Sequence, residues 1–326
     1  MFVVGDIGGT RTRLSLLTRA GRVVRRETLD SRMFPSLEAA MGAFLSHVKP
    51  PPKLQAAAFG IAGPVVAGRV VTTNLPWTVD AKVVARKLSI KRVTLLNDLV
   101  ALALGTLGVS RRKLHILGDA GAPKRKGANV AVLAAGTGLG EALLLWDGDR
   151  FLPTATEGGH TDFAPRNDLD IELLQFLRSR FGHVSYERIL SGDGLANLYD
   201  FFRQIKGVEE SSANTRALES SLDRNAAICE LGIAGKSEAA ARAVEHFAQI
   251  YGAEAGNLAL KSLSIGGVFI CGNIAARMKP IFDRGVFRRA FADKGRFTSL
   301  MEKIPVAVVL DSDVGLAGAA RVALKS

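Results

Sequence analysis

Three kinds of short segment in this chain carry residues able to bind anions, move a proton or grip hydroxyl groups. Gly5-Asp6-Ile7-Gly8-Gly9-Thr10 and Gly136-Thr137-Gly138-Leu139-Gly140 are glycine-rich turns, each set between apolar segments. Glycine lets backbone N–H groups approach an anion closely, and successive N–H groups in such a turn form a concave anion site. Asp6 adds a carboxylate to the first turn, suited to hold a hydrated Mg²⁺. Asn97-Asp98 couples an amide to a carboxylate, so that Asp98 can take the proton of an attacking hydroxyl while Asn97 fixes the acceptor. Asn and Asp are also common helix caps, and the sequence leaves both roles open.

The third kind is Thr156-Glu157-Gly158-Gly159-His160-Thr161-Asp162, with a carboxylate and an imidazole around a Gly-Gly turn. One Glu and one His make a poor zinc site. Together they accept and donate hydrogen bonds, which suits a polyhydroxylated ligand. Glu187, in Ser185-Tyr186-Glu187-Arg188, is a further carboxylate, and its local sequence favours a surface helix residue paired with Arg188 or another base.

The elements around these residues follow from hydrophobic spacing. Val3–Leu17 and Ala128–Trp146 each give apolar strand, glycine turn, apolar strand, which is a β-hairpin signature. Neither is a Walker loop, which needs strand, GxxxxGK[ST] and helix, and Gly136-x-Gly138-x-Gly140 is not GxGxxG. Gly235-Lys236-Ser237 has the tail of a Walker sequence but Glu230 in place of its first glycine. The repeated hairpin predicts two related α/β halves, each presenting a phosphate-binding turn to one shared cleft.

Further along, strands are expected at 23–29, 54–61, 70–74 and 92–96, and helices at 36–48, 81–88 and from Asp98 to about Leu107. Pro50-Pro51-Pro52 stops the first of these helices, and Asp80 caps the second. Beyond Arg111 the chain becomes helix-rich, with its longest helix at 237–263 and a buried strand at 267–271 leading through Gly272-Asn273 into another helix. A strand at 305–310 and a helix at 314–325 close the chain and are expected to pack back on the first half. The expected domains are therefore 1–108 plus about 305–326, and 109–304.

Composition narrows the class. The 326 residues are 48% hydrophobic and 23% charged, enough to bury one or two sizeable cores. Apolar runs such as 100–109 are too short to span a bilayer and are broken by glycine, and no signal-like stretch precedes the first turn. Two cysteines, Cys229 and Cys271, provide neither a disulfide framework nor a metal cluster. These features predict a soluble, cytoplasmic protein. The net charge is +12, but the basic residues fall in scattered groups such as Arg111-Arg112-Lys113 and Lys124-Arg125-Lys126, without interleaved aromatics. Such a surface draws in anionic nucleotides and sugar phosphates and predicts no specific nucleic-acid partner.

Across nearly its whole length the chain resembles the bacterial-type glucokinases, of the hexokinase, actin and Hsp70-like ATPase superfamily. The resemblance rests on GDIGGTRTRLSLL, TTNLPW, LLNDLVALALG, AAGTGLGEALL, EGGHTDFAP, GHVSYERILSGDGLANLY, GGVFICGNI and FADKGRF. It implies a two-domain actin-like (ribonuclease H-like) α/β fold with the active site in the interdomain cleft. It also implies transfer of phosphate from ATP to the 6-hydroxyl of glucose by a cytoplasmic homodimer. By position, the resemblance makes Asp98 the general base and Asn97, Glu157, His160 and Glu187 sugar ligands, which displaces the surface reading of Glu187. Gly5, Asp6, Gly8, Gly9 and Thr10, with Thr137 and Gly138, would cradle the ATP phosphates, and Gly272 and Asn273 would lie on the adenosine side. Mg²⁺ would bridge the phosphates, with Asp6 helping through water.

Two positions depart from the family pattern. Arg11 follows Thr10 where relatives often have Asn or Lys, and Asn273 stands where they commonly have glycine. The cysteine-rich zinc motif of the related repressor and kinase group is missing after His160, where this chain has Thr161-Asp162-Phe163-Ala164-Pro165. A sugar-responsive DNA-binding regulator would need a helix-turn-helix domain ahead of the first turn, which here begins at Gly5.

Overall fold

The computed structural model describes residues 1–72, 75–124 and 126–325. Thr73 and Asn74 of the expected strand at 70–74, and Arg125 of one basic group, lie outside the described residues. The chain divides into two compact units. The first comprises residues 1–110, 153–155 and 311–326, and the second residues 111–152 and 156–310.

The first unit is built on strands β1 (Phe2–Ile7), β2 (Arg11–Leu17), β3 (Val23–Asp30), β4 (Ala56–Ile61) and, after a small ribbon of β5 (Arg69–Val71) and β6 (Thr78–Asp80), β7 (Arg92–Asn97). Their order in the sheet is β3-β2-β1-β4-β7. Alternation along β1 decides the layers, because successive side chains face opposite sides of a strand. Phe2 and Val4 pack with Leu316, Ala319 and Ala323 of the last helix (Val314–Leu324). Val3 and Ile7 join Phe44, Phe59 and Trp77 on the other face. Strands β1, β4 and β7 run parallel, with Ile7, Ile61 and Asn97 aligned. The first glycine turn and Asn97-Asp98 therefore leave the sheet at one edge, the carboxyl ends of its strands, where open α/β sheets bind ligands.

Asp98 opens the helix Asp98–Thr106. That helix crosses the last helix with backbone almost on backbone. A Cβ at Gly105 would overlap the Val314 carbonyl, and one at Gly318 would overlap the Ala101 carbonyl.

The second unit carries a sheet of β8 (Leu114–Ile116), β9 (Val130–Ala135), β10 (Leu139–Trp146), β11 (Phe151–Thr156), β12 (Gly267–Cys271) and β13 (Val306–Val309). Its order is β11-β10-β9-β12-β13-β8. The helix Glu238–Lys261 is buried over most of its length, with Phe247 and Tyr251 fully enclosed in the main core. Here the structure corrects the sequence reading. The strand expected at 305–310 does not return to the first unit; β13 pairs in parallel with β12 and antiparallel with β8. All four of its residues are buried, so an apolar run of this kind fits either sheet, and periodicity gives no sign of which. Of that closing pair, the last helix returns to the first unit.

The helix crossing yields a test. Alanine is favoured over glycine in a helix by about 1 kcal/mol. The opposing contact at Gly318 is a backbone carbonyl, which no rotamer change can move aside, and overpacking costs about 1–3 kcal/mol. Gly318→Ala is expected to destabilise the protein on balance, with a lower urea midpoint than the parent.

Candidate active site

In the first unit the hairpin turn is held by Gly8 N–H donating to Arg11 O at 3.0 Å and by the Ser31 hydroxyl donating to Gly8 O at 2.8 Å. With the Gly8 N–H committed, the amides of Gly9 and Thr10 are the candidate anion donors of the turn. Gly5 belongs elsewhere than the sequence placed it. It lies buried within β1, and a Cβ there would sit 2.6 Å from Phe59, so packing is the reason for that glycine.

Asp6 is ion-paired through Oδ2 to Arg13, whose other nitrogen donates to Ser312 O at 2.6 Å. Among the described residues no group of three or more His, Cys, Asp or Glu could cage a metal ion. Mg²⁺ that keeps most of its waters and sits on substrate phosphates needs no such cage, and one carboxylate nearby suffices. Asp6 fits that role through Oδ1, since Arg13 occupies Oδ2.

Asn97 serves as the helix cap after all, with Oδ1 accepting from Leu99 N–H at 3.0 Å and Val100 N–H at 3.3 Å. Its amide nitrogen donates to Gly63 O at 3.3 Å. The cap and the proposed ligand role are compatible, because an amide nitrogen carries two N–H donors. The Asp98 carboxylate stands half-exposed at the helix N-terminus, with Oδ1 accepting from Leu99 N–H at 2.9 Å.

In the second unit Glu157 and His160 flank the short 3-10 turn Gly158–His160, and both are exposed. Glu187 lies in another 3-10 turn, Tyr186–Arg188, rather than on a surface helix. Phe163 N–H donates to Val184 O at 2.9 Å and Tyr186 N–H to Thr161 O at 3.1 Å, which stitches the two segments together. His160 Nδ1 then lies 3.8 Å from Glu187 Oε1. The other carboxylate oxygen, Oε2, accepts from Leu139 N–H at 2.9 Å, which ties Glu187 to the second glycine turn. Gly138 makes room for that contact, since a Cβ there would overlap Glu187 Oε2.

Gly272, with φ +94°, follows β12, which runs beside β9 with Cys271 opposite Ala134. A Cβ at Gly272 would stand 2.6 Å from Ala135 O. Thr137, Gly138, Gly272 and Asn273 thus share one edge of the second sheet.

Beside Thr137 opens a cavity of about 400 Å³, which the sequence did not disclose. Ser191, Asp193, Arg224 and Asn225 line it with Glu187. Asn225 donates to Asp193 at 2.9 Å, and Gly192 N–H donates to Gly136 O at 2.9 Å, fixing the helix Gly192–Gln204 against the turn.

The glucokinase family model matches residues 3–326. The chain belongs to the glucokinase family. It is 37% identical to a glucokinase of Trichormus variabilis, covering 98% of each chain, and 38% identical to one of Synechocystis, covering 100% of this chain and 98% of the relative. The solved glucokinase from an Antarctic psychrotroph superposes with a TM-score of 0.84 at 31% identity, over 100% of this chain and 99% of that one. A Balamuthia mandrillaris glucokinase in complex with glucose shares the fold, with a TM-score of 0.82 at 21% identity over 99% of this chain and 93% of that one. The fold is the two-domain actin-like ATPase fold of these sugar kinases.

This glucokinase-family chain also holds two buried carboxyl groups that its motifs did not reveal. Glu141 on β10 and Glu254 on the helix Glu238–Lys261 are 1% and 0% exposed. Burial, and then the neighbouring Glu254, push Glu141 up to about 8. Burial raises Glu254 as well, against the hydrogen bond from Asn257 and the charges of Lys261 and Lys294. A carboxyl group that holds its proton more tightly when folded favours the folded state most at low pH. That contribution is complete below the ordinary value of 4.5 and is lost as the pH climbs to about 8. Folding stability is expected to decline between those limits. Glu141→Gln, neutral at every pH, should lack most of the decline when urea midpoints are compared at acidic, neutral and mildly alkaline pH.

Proposed function

We propose that the protein transfers the γ-phosphoryl group of ATP to the 6-hydroxyl of glucose, giving glucose 6-phosphate and ADP. The observation that carries this reading is the placement of Glu187. One carboxylate reaches His160 on the sugar-type turn and the Leu139 amide of the anion-binding turn. A sugar kinase requires a polyol site directly beside a phosphate site, and this shared contact supports that reading.

In this reading Asp98 takes the proton as the sugar oxygen forms its bond to the γ-phosphorus and the bond to the β-phosphate oxygen breaks. The free N–H of Asn97 donates to the sugar, while Glu157, His160 and Glu187 hold its other hydroxyls. The Gly9 and Thr10 amides and the second turn around Thr137 and Gly138 bind the phosphates, which leaves the nucleoside to lie along the cavity beside Thr137 and toward Gly272-Asn273. Bound Mg²⁺ would neutralise phosphate charge, with Asp6 Oδ1 holding one of its waters. Phosphoryl transfer depends mainly on alignment and charge stabilisation, and a positioned base adds about 10²–10⁴-fold. The resemblance also supports a cytoplasmic homodimer, and both cysteines are free and buried, in keeping with a reducing compartment.

Coupled ADP-release assays with glucose, mannose, fructose, glucosamine and no sugar test the reading. Glucose is expected to give the highest kcat/KM. Asp98→Asn should bind glucose within about threefold of the parent yet lose at least about 10²-fold in kcat. Near-normal turnover by that variant would remove Asp98 from the role of base. Light scattering of the purified protein checks the dimer.

A further inference from the structure

The buried carboxyl pair lies directly behind both turns that carry the sugar-type ligands. Glu141 Oε2 fills the space against Gly158, where a Cβ would overlap it, so the carboxyl group is the floor beneath the turn between Glu157 and His160. The same residue's backbone carbonyl accepts from the Thr156 hydroxyl at 3.1 Å, and Thr156 Oγ1 accepts from Gly158 N–H at 3.2 Å. Glu254 serves the other turn. Asn257 Nδ2 donates to Glu254 Oε2 at 2.9 Å and to the Tyr186 hydroxyl at 3.0 Å, and Tyr186 is the residue before Glu187. The pair is thus a common footing for Glu157, His160 and Glu187.

Its protonation is constrained by its surroundings. The charge of Glu254 bears on Glu141, and Oε1 of each is buried without a hydrogen-bond partner, while the Tyr186 hydroxyl faces the Glu254 carboxyl group. One proton between the two groups supplies the donor that both lack and leaves a single negative charge, whereas two bare carboxylates at this depth repel and remain undersatisfied. The charged and titratable groups around them are Lys261 and Tyr251 on the same helix as Glu254, Tyr186 on its 3-10 turn, and Lys294 and Arg166 from the loops. Lys294 is drawn in through Asn257, donating to its Oδ1 at 2.7 Å.

We propose that Glu141 and Glu254 are positioning residues for the sugar. With one proton between them they hold the turns Gly158–His160 and Tyr186–Arg188 at the spacing a hexose needs, and their joint ionisation lets the turns separate. The inference rests on the assignment of Glu157, His160 and Glu187 to the sugar. It makes glucose affinity pH-dependent through residues that touch neither sugar nor nucleotide.

Calorimetric titration of the full-length protein with glucose, without nucleotide, tests this at several values between pH 6.5 and 9. If only the protonated form of Glu141 supports the site, and Glu141 gives up its proton near 8, Kd rises about tenfold between pH 7 and pH 9. Glu141→Gln should hold the low-pH affinity throughout, and in turnover KM for glucose should follow Kd while kcat at saturating sugar changes little. Glu254→Gln provides the same test if Glu141→Gln fails to fold. A Kd that is flat with pH in the parent, or a rise that persists unchanged in the folded variants, overturns the proposal. No glucose binding by the parent at any pH would instead overturn the sugar assignment on which it stands.

Discussion

The carboxylate of Glu187 is the contact on which the arrangement of the second unit turns. It accepts from the Leu139 N–H with one oxygen and approaches His160 with the other. A single side chain therefore links the second glycine turn to the turn Gly158–His160. That is possible only because residue 138 has no side chain, and only because 161–163 and 184–186 are stitched together by backbone hydrogen bonds. A charged acceptor makes the stronger kind of hydrogen bond to a backbone amide, and it costs no ordering at the moment a ligand arrives.

The two units solve the same problem with the same piece of topology. In each, an antiparallel hairpin with a glycine turn adjoins a parallel neighbour on its first strand: β2-β1-β4 in one and β10-β9-β12 in the other. The hairpin aims backbone amides past the sheet edge, and a parallel strand brings a second candidate segment to the same edge. In the first unit the next strand over, β7, brings Asn97 and Asp98. In the second, β12 itself brings Gly272 and Asn273. Parallel register, more than any local propensity, gathers residues distant in sequence.

Burying Glu141 and Glu254 beneath the ligand turns sets a physical conflict in the core. Unpaired charge at such depth is expensive, so the pair keeps a proton well above the ordinary carboxylate range. Apolar residues of similar volume would pack there with no such dependence on pH. What the carboxyl groups add is a direct reach from β10 to Gly158 and, through Asn257, to Tyr186. Stiffness under the site is thereby linked to the state of one proton.

The sequence by itself determined the family, the two hairpins, most of the strands and the longest helix, because hydrophobic period, caps and glycine turns are local signals; the strands Thr78–Asp80, Leu114–Ile116 and Phe151–Thr156 were not read from it. It marked Asn97-Asp98, Glu157, His160 and the glycine turns, and the family motif around Tyr186 rescued Glu187 from a surface reading. Tertiary structure alone decided where β13 belongs, since an apolar run looks the same in either sheet. It also moved Gly5 from phosphate binding to packing against Phe59, and it showed Asn97 acting as cap and donor at once. Glu141 and Glu254 stand 113 positions apart in the chain, in a strand and a helix whose patterns give no hint of partnership. Their meeting, like the cavity beside Thr137, depends on how distant elements pack, and a one-dimensional pattern does not record that.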